Sequence, residues 1–161
     1  MSATGGRAKK KPPSRKLIVV AVSGGFDPIH PGHIRLFQAA KRLGDKLVVI
    51  LNNDNWLKQK KGYAFMPQNE RKEVIEAIMG VDRVVVSKHP KNPKDMSVAR
   101  ELLRLHPDIF ANGGDRPKTT HPPVEVVACR KIGCKMIFGV GHGGKIQSSS
   151  WLLAKYLEHA K

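Results

Sequence analysis

The chain has 161 residues, 40% apolar and 26% charged, which suits one globular domain with a real core and excludes a fibrous or wholly disordered protein. Its 29 Lys and Arg against 13 Asp and Glu leave a formal charge of +16, a balance that favours polyanionic ligands such as nucleotides, nucleic acid or an anionic surface. No run approaches the ~20 apolar residues of a membrane span, and the start lacks the apolar centre of a secretory signal, so a cytoplasmic protein with no membrane partner is expected.

Residues 1–16 carry Arg7, Lys9, Lys10, Lys11, Arg15 and Lys16 and almost nothing to bury, so they are expected to form a disordered basic tail. In the body, 17–161, the other 23 basic residues still outnumber the 13 acidic ones. Leu17 to Ser23 is a short, β-branched apolar run, the pattern of a buried parallel strand. Gly32 to Leu43 has apolar residues at helical spacing, with Gly44 expected to cap the helix. Lys46 to Leu51 reads as a second strand, followed by a lysine-rich loop around Leu57 to Tyr63. Pro67 opens a helix through Met79, and Arg83 to Ser87 is a third strand. A helix from Asp95 to Leu105, a strand from Pro107 to Ala111 and a helix from Val124 to Ile132 follow. A strand from Cys134 to Val140 and a helix from Ser148 to His159 complete the chain. Cys129 and Cys134 do not form a CxxC pair and have no second pair to complete a zinc site, so they read as reduced, semi-buried thiols. Strands alternating with helices predict an α/β fold: a Rossmann-like, doubly wound, five-stranded parallel sheet in a single domain. Ligands of such sheets bind beyond the carboxyl ends of the strands.

The loops at those ends hold the unusual residues. After the first strand comes Gly24-Gly25-Phe26-Asp27-Pro28-Ile29-His30-Pro31-Gly32-His33. Two glycines permit a sharp turn and close approach of a ligand. The helix that follows presents backbone N–H groups to an anion. His30 and His33 are placed to donate hydrogen bonds to phosphate oxygens as charge shifts in a transition state. A metal pair is the weaker reading, since Asp27 is the segment's one carboxylate, and no dedicated metal site is expected. The Lys58–Lys61 cluster reads either as a solvated face or as a counter-charge for a triphosphate. Asn112-Gly113-Gly114-Asp115 reads either as a plain turn or as a close backbone approach to a base or ribose, with Asp115 orienting an amine or hydroxyl. Ser148, Ser149 and Ser150 read either as a helix cap or as a phosphate nest.

G-x-F-D-x-x-H-x-G-H at 24–33 resembles the signature of the HxGH nucleotidyltransferase superfamily, and the chain is similar to its cytidylyltransferase-like branch over Leu17 to Leu157. That resemblance implies transfer of CMP or AMP from CTP or ATP to a small phosphorylated acceptor, with release of pyrophosphate. It implies catalytic roles for His30, His33 and Lys60. It also implies nucleotide contacts from Gly24, Gly25, Phe26, Gly32, Lys58, Arg71, Gly113, Asp115 and Ser148 to Ser150. Arg71 rests on this likeness alone. Mg²⁺ is expected because triphosphates carry it. A homodimer is implied by analogy.

The loops divide over the nucleotide. The lysine loop resembles that of cytidylyltransferases acting on alcohol phosphates, whereas Gly-Gly-Asp resembles adenylyltransferases acting on sugar phosphates; the balance leans slightly to CTP. Phe26 to His30 also resembles the nicotinate mononucleotide adenylyltransferases, but the arginine those enzymes place after their serines is replaced by Trp151 and Leu152. Gly143-Gly144 stands where cytidylyltransferases carry Arg-Thr, leaving His142 or Lys145 to supply charge. A nucleic-acid-binding module and a nucleotide sensor without turnover are the alternatives of another class. No nucleic-acid-binding motif supports the first, so nucleic acid is not the expected partner.

Overall fold

A computed structural model describes residues 13–114, 121–141 and 147–160. It contains β1 (Val19–Gly24), α1 (Pro31–Lys41), β2 (Lys46–Leu51), α2 (Asp54–Lys61), α3 (Gln68–Glu76) and β3 (Arg83–Val86). These are followed by α4 (Ala99–Leu105), β4 (Ile109–Gly113), α5 (Pro123–Ile132), β5 (Lys135–Val140) and α6 (Ser149–His159). The five strands form one parallel sheet in the order β3-β2-β1-β4-β5. This is the Rossmann-like fold expected, with its switch point between β1 and β4. No helix among the described residues is long and apolar enough to cross a membrane.

Alternation along β1 divides the core in two. Val20 and Val22 join Phe37 and Ala40 of α1 and Ile75 of α3 on one face, while Ala21 joins Leu102 of α4 and Cys129 of α5 on the other. All of these side chains are buried, so helices cover both faces and the central strands can be wholly apolar. Cys129 and Cys134 are free thiols buried in the second cluster.

The opposite end of the sheet from the glycine turns is stitched by three aspartates, each lying directly before a strand. Asp45 accepts the Ile18 N–H, Asp108 accepts the Val19 N–H and Asp82 accepts the Leu47 N–H, each at 2.8–2.9 Å. Strand starts that would otherwise lack partners are thus satisfied. Lysine or arginine balances each carboxylate: Arg15 at Asp45, Lys16 at Asp108, and Lys41 with Lys46 at Asp82. Arg15 and Lys16, expected to belong to the tail, therefore bind the body.

Four local expectations are corrected. Asp54–Lys61 is a helix, not a loop. Asn53 caps it by accepting the Trp56 N–H, and Gly62, in the left-handed region at φ 87°, ends it. Gly44 is not a left-handed cap, since α1 ends on Arg42 in right-handed geometry. Its lack of a side chain instead lets it pack against β1: a Cβ there would meet Val20 at 2.7 Å and the Ile18 carbonyl at 2.8 Å. The helix expected from Asp95 begins only at Ala99, because Asp95 accepts the Ser97 N–H and the Ser97 carbonyl faces His89 Nε2. The helix expected through Met79 ends at Glu76.

Burial alone would raise the Asp82 carboxyl, but hydrogen bonds from Lys41, the Leu47 N–H and Lys46 outweigh it and hold the pKa down at about 2. Asp82 therefore stabilises the fold fully above its unfolded value near 4, and this contribution is lost as pH falls towards 2. Asp82→Asn should cost about 1–2 kcal/mol in urea unfolding at pH 7. The gap between variant and wild type should narrow steadily from pH 5 to pH 2.

Candidate active site

The carboxyl ends of β1, β4 and β5 and the first turns of α1 and α6 surround a cavity of about 390 Å³. Its lining includes Gly24, Gly25, Phe26, His30, Gly32, His33, Trp56, Lys60, Lys61, Gly113 and Ser148 to Ser150.

The turn after β1 is shaped by packing rather than by glycine φ. A Cβ on Gly24 would come within 2.8 Å of the Phe26 ring, and one on Gly25 within 2.8 Å of Leu57. Phe26 takes the left-handed backbone conformation (φ 48°) and buries its ring edge-on to His33 and Phe37, 5.0 Å from each. The two histidines then cap α1 reciprocally. His30 is the N-cap and its Nδ1 accepts the Gly32 N–H at 3.1 Å, while His33 Nδ1 accepts the His30 N–H at 3.3 Å. The rings stack with centroids 3.7 Å apart.

This arrangement selects one chemical form. A ring nitrogen that accepts a backbone N–H carries no proton, so each neutral imidazole holds its hydrogen on Nε2. Neither Nε2–H has a protein acceptor among the described residues, and both rings line the cavity. Burial, then the neighbouring His30, then Lys61 push the His33 pKa down to about 3; burial and Lys61 lower that of His30. The pair is thus two neutral donors at the N-terminus of a helix, suited to phosphate oxygens.

Opposite them, α2 presents Trp56, Leu57, Lys60 and Lys61 to the cavity. Lys60 Nζ lies over the Trp56 ring, 4.6 Å from its centroid. Because the segment is helical, residues i, i+1, i+4 and i+5 share a face, and Lys58 falls outside it. Lys58 is exposed and takes no part in the lining, contrary to expectation, whereas Lys61 does. Burial lowers the Lys61 pKa, and its Nζ donates to the Asp27 carbonyl at 3.1 Å.

Arg71 also departs from expectation. It is buried and reaches no cavity surface. Its guanidinium donates to the carbonyls of Gly25, Asn52 and Met66 and pairs with Asp54. Asp27 works as its counterpart: the buried carboxylate accepts the N–H groups of Phe65 and Met66 at 2.6 and 2.8 Å. Together they lock the glycine turn, the end of β2, the start of α2 and the segment before α3.

At α6, Ser148 accepts the Trp151 N–H as N-cap, and the Ser149 hydroxyl donates to the Pro28 carbonyl at 2.7 Å. Ser150 lines the cavity and is exposed. On β4, a Cβ at Gly113 would meet the end of the Leu36 side chain at 2.8 Å and the Val140 carbonyl at 3.4 Å. A bulge between β4 and β5 follows Ala111 and carries Val140 to the cavity wall. Asp115, His142 and Lys145 lie outside the described residues. Sequence reasoning missed Trp56, Arg35 and Asn112 in the lining. The Trp56–Lys60 spacing of four was the available signal, and it needs the helix to be recognised first.

A helix N-terminus with paired imidazoles, faced by lysines at the switch point of a parallel sheet, defines an α/β domain that handles nucleotide phosphates. The chain matches the family described as Cytidylyltransferase-like over residues 21–142 and belongs to it, and is accordingly a nucleotidyltransferase. It is 40% identical to the FAD synthase of Pyrococcus horikoshii over 104 residues, 64% of this chain and 67% of that one. It is 43% identical to the bifunctional protein HldE of Gluconobacter oxydans over 100 residues, 60% of this chain but 19% of that one. Further archaeal FAD synthases are matched over 59–64% of their own length. Among solved structures, the lipopolysaccharide core biosynthesis protein from Thermoplasma volcanium superposes with a TM-score of 0.65 at 26% identity, covering 80% of this chain and all of that one.

The depressed histidine pKa values carry a sign. Protons bind the unfolded chain more readily below about 6.5, so the pair stabilises the fold less as pH falls from 6.5 towards 3. Nitrogen-resolved NMR should find His33 as the Nε2–H tautomer, with no titration above about pH 4. A midpoint near 6.5 would contradict the burial described.

Proposed function

We propose that the protein transfers AMP from ATP to the phosphate of FMN, forming FAD and releasing pyrophosphate. The observation that carries the phosphate chemistry is the pair of neutral Nε2–H donors at the first turn of α1, facing Lys60 and Lys61. The choice of substrates is drawn from the FAD synthases that the chain resembles, since FAD is FMN joined to AMP. They favour ATP over the CTP towards which the lysine loop leans.

In this reading an oxygen of the acceptor phosphate attacks the α-phosphorus. The new P–O bond forms as the bond to the β-phosphate oxygen breaks, and pyrophosphate departs with that oxygen. His30 and His33 donate to the oxygens on which negative charge accumulates, with no covalent intermediate. Lys60 and Lys61 balance the phosphates, and Ser150 with the N–H groups opening α6 holds the outer ones. Gly113 brings backbone close to the nucleotide, and Asp115 remains a candidate ribose or base contact. Arg71 acts through the backbone it holds.

Magnesium fits this site only as the triphosphate's companion. Asp27, the cavity's one carboxylate among the described residues, spends both oxygens on backbone N–H groups, and no cluster of three potential ligands occurs among those residues. The ion would add positive charge at the phosphates.

Incubation with ATP, Mg²⁺ and FMN should yield FAD and pyrophosphate in equal amounts, measured by chromatography and a coupled pyrophosphate assay. His33→Ala should lower kcat about 10²–10³-fold with ATP affinity changed far less. An equal loss in ATP binding and in turnover would reduce His33 to a structural cap. Pyrophosphate release with a sugar or polyol phosphate but not with FMN would replace the acceptor while leaving the transfer chemistry intact.

A further inference from the structure

The sheet opens at Asn112. The ladder between β1 and β4 ends at Ala21 and Phe110, so Asn112 lies beyond it. On the other side of β4, Ala111 pairs with Ile137 but Gly113 pairs with Val140. Asn112 therefore faces two residues of β5, Phe138 and Gly139, and Gly139 turns there in the left-handed region at φ 68°. This is the crevice in which such sheets hold ligands, and Asn112 lines the cavity with 6% of its surface exposed. One contact settles its amide orientation. The Phe110 carbonyl can only accept, so the atom that meets it at 3.3 Å is Nδ2, and Oδ1 is left over.

The other polar side chains of the cavity mostly donate: His30 and His33 through Nε2–H, and Arg35, Lys60 and Lys61 through their cations. Among the described lining residues, side-chain oxygens that can only accept belong to Asp27, Gln147 and Asn112. Asp27 takes the Phe65 and Met66 N–H groups, and Gln147 takes the Ser148 N–H. Asn112 Oδ1 has no donor among the described residues. A buried amide oxygen without a donor is unfavourable, so the group that covers it must bring an N–H or O–H. An ionised phosphate offers only acceptors and does not fit. A ribose hydroxyl accepts as well as donates, so the cavity's serines or lysines can serve it. The exocyclic amine of a base only donates and needs a pure acceptor. We propose that Asn112 selects the base: its Oδ1 accepts the 6-amino group of adenine, and a carbonyl at that position is turned away because two acceptors would face each other. This rests on ATP being the nucleotide and adds the residue that recognises it.

The test measures, by calorimetry on the full chain, the Kd of each nucleotide with Mg²⁺ and no acceptor. Purine riboside triphosphate has hydrogen in place of the amine, and wild type should bind it about 10-fold more weakly than ATP. Inosine triphosphate has a carbonyl there and should bind about 10- to 100-fold more weakly. Asn112→Ala should bind all three within about 3-fold of one another, while 2′-deoxy-ATP and 3′-deoxy-ATP keep their wild-type standing relative to ATP. Each comparison is made within one protein, so a general loss of affinity from a disturbed β4 does not mimic the result. Equal binding of ATP and inosine triphosphate by wild type refutes the proposal without any variant. Discrimination that survives in Asn112→Ala refutes it as well. So does a variant that instead becomes indifferent to the ribose hydroxyls, which would assign Asn112 to the sugar. If ATP is bound and discriminated in this way but FMN is not adenylylated, the acceptor falls and the role of Asn112 stands. If wild type takes CTP rather than ATP, the ATP reading falls and CTP against UTP decides the matter. A CTP preference lost in Asn112→Ala upholds amine recognition, and one retained refutes it.

Discussion

The site depends on one buried cation. Arg71 sits in α3 with 1% of its surface exposed, and its guanidinium binds three carbonyls and one carboxylate from four different segments. A buried charge is tolerated only when its donors are matched, and breaking such a set by removing one partner costs about 3–5 kcal/mol. Here the partners are the carbonyls of Gly25, Asn52 and Met66 and the Asp54 carboxylate. Those are the turn beneath the histidines, the exit of β2, the entry of α3 and the first turn of α2. Every wall of the cavity on the α2 side is therefore referred to one side chain. Asp27 closes the same frame from the opposite direction by accepting two N–H groups. Acid and base are used as splints, not as reactants.

The frame explains the electrostatics of the pair it supports. Capping geometry points each Nδ1 at a backbone N–H, which fixes the tautomer before any ligand arrives. Packing of Phe26 against His33 removes water from one side, and Lys61 adds positive potential on another. Both influences oppose protonation. A protonated ring would have to give up a capping bond, so neutrality and helix capping reinforce each other. The two Nε2–H donors are thus oriented by the secondary structure itself, before any ligand arrives.

The strand–helix alternation was legible because β1, β2 and β3 are short runs rich in Val and Ile next to Gly or Asp. The histidine turn was legible because its residues are contiguous. What escaped is what depends on tertiary context. Helix α2 has eight residues, most of them polar, so its periodicity is weak, and its Asn53 cap and Gly62 stop emerge only in the fold. Missing the helix misassigned Lys58, since in a loop every lysine is a candidate and on a helix only one face is. Arg71 was misread for another reason. Position in a motif does not distinguish a guanidinium aimed at ligand from one aimed at backbone, and here four internal acceptors decide it. The start of α4 was placed four residues early because the Asp95–Ser97–His89 network takes up the residues that would form its first turn.

The polar wall of the cavity is built from capping histidines and from lysines on a helix whose orientation Arg71 and Asn53 hold. Altering either histidine removes a cap of α1, so these donors are tied to the architecture. The segment 62–66 is different. Its backbone is anchored through the N–H groups of Gly62, Phe65 and Met66 and the Met66 carbonyl, which do not depend on side-chain identity.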